Sequence, residues 1–309
     1  MSKFASLLPL LATMLACTLF TAPAQAQRDR VFVASYGSDS NPCTFGSPCK
    51  TFQHAHDTVA TDGEVTAIDS AGFGPLTITK GITITSPNGV EAGIAAAPGG
   101  NAIAINANDG DKIFLHGLTL NGAFSGRYGI AFSSGAALYV YDCVIEKFIQ
   151  DGILFDPQHA GSLFISDTQS LQNIGNGINI MGSDNVVGNL TRVETNGNVG
   201  IGIRFANRNV SEGSFMTMNA IVSSDNAGGG LICPTINGEN QDFTPGIVVL
   251  GSTISMNGGP GIDANSCGLS IGRSTIFFNN PDFTNSQVGS YDDNASGGTG
   301  SLPGVSTYR

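Results

Sequence analysis

The sequence predicts an all-β chain, a single-stranded parallel β-helix with a short N-terminal capping helix, and three observations carry that reading. An asparagine is followed four residues on by Gly and an aliphatic: Asn173 with Gly177-Ile178, Asn196 with Gly200-Ile201, Asn226 with Gly230-Leu231, Asn257 with Gly261-Ile262. Phe148 with Gly152-Ile153 fits the same frame. Counted from Gly129, these glycines recur at 23, 25, 23, 30 and 31 residues, the periodicity of a stacked array. Between them lie short alternating apolar runs, Leu138–Val140, Leu163–Ile165, Ile178–Ile180 and Ile201–Phe205, each bounded by Gly, Asn, Asp or Ser. No helical apolar stripe interrupts them, which excludes βαβ units. A period near 23 holds about three short strands and three turns, whereas a propeller blade needs about 40 residues. The recurring Asn suits a corner with φ > 0, and coils about 4.8 Å apart let like residues hydrogen-bond up and down a ladder.

Taken in order, residues 1–26 read as a secretory signal peptide: Lys3, an apolar run from Phe4 to Phe20, then Ala24-Gln-Ala26. Met14-Leu-Ala-Cys17 is faintly similar to a lipoprotein cleavage box, but the small-residue site downstream is better placed. Cleavage removes Lys3 and leaves 12 Lys+Arg against 24 Asp+Glu, a net charge near −12. Such an acidic, charge-poor surface argues against nucleic acid or an anionic membrane as partner, and no other segment could span a membrane.

Residues 27–62 differ from the repeat. Arg30–Ala34 is a strand, Cys43 and Cys49 close a tight loop as a disulfide, and Pro48 to Thr61 makes a helix with Phe52, Ala55 and Val59 on one face. Laid across the first coil, that helix covers the open end of the solenoid. His54 and His56 lie on it two apart, so they point apart and read as solvated. The β-helix then spans 63–280, and residues 281–309 read as a closing strap or tail. Cys233 and Cys267 leave the same corner of adjacent coils, which predicts a second disulfide; Cys143 is then a buried thiol. No cofactor is expected. Ca²⁺ is the one ion an oxygen-rich turn, Asn106–Asp111, could hold, though without EF-hand spacing the segment reads as a plain turn.

Arg30-Val-Phe-Val, Asn41-Pro-Cys43 and Pro48-Cys-Lys-Thr-Phe52, followed by the Gly/Asn coils, resemble the bacterial right-handed parallel β-helix repeat proteins of the pectin-lyase-like superfamily. The resemblance covers nearly all of the chain after residue 26. It implies a right-handed coil, the helical cap and secretion to the periplasm, cell surface or medium. It implies little about activity, because the superfamily includes lyases, hydrolases, esterases, epimerases, tailspikes and adhesins.

The site is therefore sought among outward side chains. With Ile153, Ile178 and Ile201 inward, alternation puts Leu154, Asn179, Gly202, Ile232 and Asp263 in one outward row. The next row is Ser133, Asp156, Met181, Arg204, Pro234 and Asn265. Arg204 is the candidate base of a lyase-type site, with Asp156 or His159 assisting; Asp156-Pro-Gln-His159 resembles the Asp-Pro-His-Asp of alginate epimerases, with the His displaced and the second Asp missing. Polygalacturonase motifs are absent. Two longer coils carry inserts at one corner, 206–213 and 234–245, which flank a groove edge with Asp184, Arg208 and Glu212; Asn179 and Asp263 complete the candidate binding set. A row of Tyr139, Tyr141 and Phe164 offers aromatic surface to a sugar. Two readings follow: a non-catalytic module that binds glycan or builds a cell-surface structure, or an enzyme acting on an acidic polysaccharide by β-elimination or epimerisation.

Overall fold

The structure, a computed structural model, describes residues 28–182, 184–206, 213–234, 245–284, 288–291 and 293–297. The expected signal peptide, most of both inserts and the end of the tail lie outside these residues. Three parallel sheets run side by side along a right-handed coil. One turn shows the plan: Ala137–Tyr141 lies in sheet 1, Val144–Glu146 in sheet 2 and Ile153–Phe155 in sheet 3. Gly161–Ser166 then returns to sheet 1 beside Ala137–Tyr141. Among the described residues the sheets hold 11, 10 and 9 strands respectively. Each strand buries alternate side chains, so Leu138, Val140, Ile145, Ile153 and Phe155 belong to one continuous core.

The interior also holds a column of buried amides. Asn173, Asn198, Asn226, Asn257 and Asn279 stack one per coil, 25, 28, 31 and 22 residues apart. Each donates its backbone N–H and its Nδ2–H to Oδ1 of the next, at 2.7–3.1 Å. The backbone donor is unambiguous, so it fixes which way every amide points. The column starts at the N–H of Phe148, which donates to Asn173, and ends at Asp282, whose Oδ1 accepts from Asn279 twice. All dipoles thus point toward a carboxylate, the arrangement in which successive bonds polarise one another favourably.

This column explains the Asn-to-Gly spacing. A Cβ on Gly152, Gly202 or Gly261 would come within 2.8 Å of the amide Nδ2 of the following coil's asparagine, and on Gly177 or Gly230 within 3.0 Å. The glycine is there so that the next asparagine can lie over it. Two expectations are corrected here. The ladder residue of the fourth coil is Asn198, and Gly202, not Gly200, is its glycine; Asn196 lies in the strand Glu194–Asn196 and accepts from Ser224 instead. The left-handed residue is also not the asparagine but the one before it: Gln172, Gly197, Asp225, Met256 and Phe278 have φ between 55° and 67°. That bend turns the amide inward. A second series of left-handed residues, Asp142, Asp167, Arg192, Ala220, Gly251 and Arg273, stands five positions earlier at the other end of each sheet 2 strand.

At the N-terminal end, the strand Arg28–Val33 pairs with Val59–Ala67 and forms the edge of sheet 1. The helix is shorter than expected, Phe52–Thr58, because residues from Val59 onward enter that strand. Thr51 caps it, and Asp39 holds Thr51 through the backbone N–H and the hydroxyl. His56 is not solvated: it is 3% exposed, and its Nε2 accepts the N–H of Thr79 while its Nδ1 faces Asp57 at 2.8 Å. The accepted bond fixes the neutral tautomer with the proton on Nδ1. Burial, joined by nearby Lys80, holds the imidazole below its ordinary pKa against the opposing pull of Asp57.

The disulfides Cys43–Cys49 and Cys233–Cys267 are present, with Cα separations of 4.6 and 6.0 Å. Cys143 is free and buried, and burial pushes its thiol up to about 12. The coil also runs past the expected end at 280: Phe283–Thr284, Val288–Ser290 and Ala295–Ser296 each add a strand to one of the three sheets. Asn108 donates its backbone and amide N–H to Asp111 Oδ2, so this carboxylate serves its own turn.

Two measurements check this account. In urea titrations Asn226→Ala, which leaves the donors of Asn198 facing no acceptor, costs roughly 3 kcal/mol, whereas Asn196→Ala costs no more than about 1 kcal/mol. Equal costs would contradict the register. Because the folded state depresses His56, unfolding takes up a proton below the unfolded value. Stability is therefore level above about pH 6.5 and falls as the pH drops beneath it, and this step shrinks in His56→Gln.

Candidate functional site

The outward row of sheet 3 follows from the strand register. Ala131, Leu154, Asn179, Arg204, Ile232 and Asp263 stand in one line, one per coil, with Thr284 after them. The two-residue shift from Gly200 to Gly202 moves Arg204 out of the row expected for it and into the row of Asn179. Asp156, Met181 and Ala206 occupy successive coils just beyond the ends of these strands, where each backbone N–H donates to the strand residue of the coil before.

The shift gives Arg204 a partner that sequence reasoning missed. Its Nη1 donates to Asn179 Oδ1 at 3.1 Å, and Asn179 Nδ2 donates to Asp151 Oδ2 at 2.9 Å. The other oxygen of Asp151 accepts from the backbone and side chain of Asn176 at 2.8 and 2.7 Å. Asn176 Oδ1 in turn accepts the N–H of Ile201. Asn179 and Asp151 are 7% and 5% exposed, so this is a polar network set into an apolar sheet, and such groups are tolerated only when bonded. Half-buried Arg204 is its outermost member. The amide of Asn179 lies between the buried carboxylate and a guanidinium two coils away, and its Oδ1 gives that guanidinium a fixed acceptor. The sequence carried one faint sign of it: Asp151 and Asn176 precede Gly152 and Gly177 in the repeat.

The remaining candidates are not gathered around this pair. Asp263 lies two coils from Arg204, with buried Ile232 between them, and its oxygens take the backbone and amide N–H of Asn265. Burial holds its carboxyl above the ordinary range. His159 is exposed at the corner leading to sheet 1, where its nearest acidic atom, on Asp109, is 3.9 Å away. Asp184 stands at the corresponding corner of the Asn179 coil and accepts the N–H of Asn185. Arg208 and Glu212 lie outside the described residues. Among the described residues, the group of three metal-type side chains that comes together is Cys43, Cys49 and His54, and its two sulfurs are joined to each other. No helix among them is long and apolar enough to cross a membrane.

The aromatic row is organised differently from a sugar platform. Phe114, Tyr139 and Phe164 stack with centroids 4.4 and 4.8 Å apart and planes within 11°. Nearly parallel rings that close cannot lie side by side in one plane, so they stack face on face along the solenoid and turn their edges outward. Both faces of Tyr139 are thereby covered, whereas Tyr141, tilted 42° from Tyr139 at 6.2 Å, stands outside the stack.

The comparisons with known proteins bear on the fold. No protein-family profile and no curated sequence matches the chain. Among solved structures it is similar to the pectate lyase Pel9A, with a TM-score of 0.68 over 90% of this chain and 78% of that one. The identity is 11%, so the likeness is one of fold. Both chains are parallel β-helices of the pectate-lyase type.

Removing Asn179 should be felt at the buried end of the network. Asn179→Ala leaves Asp151 Oδ2 without its donor, and denaturant titration should record a loss of about 2 kcal/mol.

Proposed function

We propose that this chain is a secreted β-helix protein that binds an acidic saccharide on the sheet 3 face bearing Arg204, without chemical turnover. The observation that supports this most is the Asp151–Asn179–Arg204 connection. Holding a long side chain on a flat strand costs conformational entropy, and here the cost is met in the folded protein before any ligand arrives. A guanidinium so held suits a carboxylate, which it can engage through two parallel N–H donors. The structural neighbour is named as a pectate lyase, and pectate is a carboxylate-bearing polysaccharide. Two disulfides fit a chain that works in an oxidising compartment, as the signal-like residues 1–26 would require. The net charge of −11 opposes a polyanion at long range, so recognition depends on close contact at this face.

The neighbour's activity favours a second reading, a lyase or epimerase with Arg204 as the base and Asp156 or His159 assisting. Against it, His159 stands at an exposed corner and Asp156 lies two coils from Arg204, about 10 Å along the stack.

Calorimetric titration with uronic-acid oligosaccharides, and with neutral ones as controls, separates the readings. Binding of the acidic set alone, weakened about tenfold or more in Arg204→Ala, is the expected result. Ultraviolet absorbance recorded in parallel should stay flat; a rise from unsaturated product, abolished in Arg204→Ala, would replace the binding reading with the lyase. Equal affinity in wild type and Arg204→Ala would remove Arg204 from the site.

A further inference from the structure

We infer that the outward face of sheet 1 is a self-association surface, on which a second copy of this chain docks about a two-fold axis. The charge pattern is the first ground. Near the N-terminal end this face carries Arg30 paired with Glu64, and then Lys112 and His116. From the strand Ala137–Tyr141 onward the pattern changes. Over six successive strands, through Gly268–Gly272, the outward positions are Ala, Tyr, Ser, Phe, Val, Asn, Thr, Leu and Gly, with no charged side chain among them. On a chain of net charge −11 a copy meets like charge over most of its partner, but not here.

Apolar exposure is the second ground. Val187 and Phe215 lie side by side on adjacent strands and are 37% and 46% exposed. Beside them run the outward ring edges of Tyr139 and Phe164, then Val248 and Leu250 farther along the same face. Charged groups return at the border: Asp142, and Asp167, whose two oxygens accept from Nε and Nη2 of Arg192. An uncharged centre with a charged margin is the anatomy of a protein–protein contact.

The partner follows from size and symmetry. Six strands about 4.8 Å apart and about 17 Å long present roughly 500 Å² per copy, or about 1,000 Å² for two, the lower bound for a specific interface. A two-fold contact needs one patch that matches itself, and a flat face without charge does so with no like-charge pair. A glycan is the poorer occupant, because both faces of Tyr139, the central ring of the row, are closed within the ladder. The surface is independent of the Arg204 face, which belongs to sheet 3.

Sedimentation velocity and light scattering of the full chain over a concentration series test the proposal. A monomer–dimer equilibrium is expected, with Val187→Asp and Phe215→Asp each weakening it at least tenfold. Both side chains are outward, so circular dichroism and the melting temperature of the monomer should stay unchanged. A chain that is monomeric at every concentration, a larger assembly, or a dimer indifferent to both substitutions would overturn the proposal.

Discussion

The buried asparagine column is the constraint on which the rest depends. A solenoid gains by stacking like on like, but alternation alone leaves each coil free to slip by two residues and still bury an apolar face. The column removes that freedom. Each amide has one place for its Oδ1, between two donors of the previous asparagine, and one glycine beneath it that leaves room. A slip by two would put buried donors against apolar atoms in two coils at once, a penalty of several kcal/mol. Asp282 closes the column at its acceptor end, and its carbonyl accepts the N–H of Ile262 at the start of a sheet 3 strand.

The candidate site is a consequence of that register. Arg204 stands beside Asn179 because Asn198, rather than Asn196, enters the column. Near this site a second, shorter amide series runs the opposite way, from the N–H of Ile201 through Asn176 to Asp151. Two oppositely directed series thus each end on a buried carboxylate, one at the end of the stack and one under the site. The first fixes the coil. The second supplies the carboxylate that Asn179 connects to Arg204.

Much of this was legible in the sequence. The three-strand period, the alternating cores, the N-terminal helix and both cysteine pairs follow from local spacing, and local spacing is what a solenoid obeys. What was not legible has physical causes. Asn196 with Gly200-Ile201 and Asn198 with Gly202-Ile203 satisfy the same frame, and the choice between them lies in contacts with coils 25 and 28 residues away. His56 reads as solvated from its place on a short helix, and only the loop at Thr79 makes it buried. Aromatic residues one coil apart suggest an open surface until the 4.8 Å repeat is seen to close their faces on one another. The network at Asp151 was hidden because it joins three coils through side chains that sequence alone leaves free to point anywhere.

A double-mutant cycle in saccharide affinity tests most directly whether the fold holds Arg204 ready for an anion. Affinities for one uronic-acid oligosaccharide would be measured for wild type, Asn179→Ala, Arg204→Ala and the double variant. If Asn179 acts through Arg204, its removal weakens binding in wild type and changes nothing once Arg204 is gone, a coupling of about 1 kcal/mol or more. If the two losses simply add, the guanidinium works without its support, and the account of the site fails.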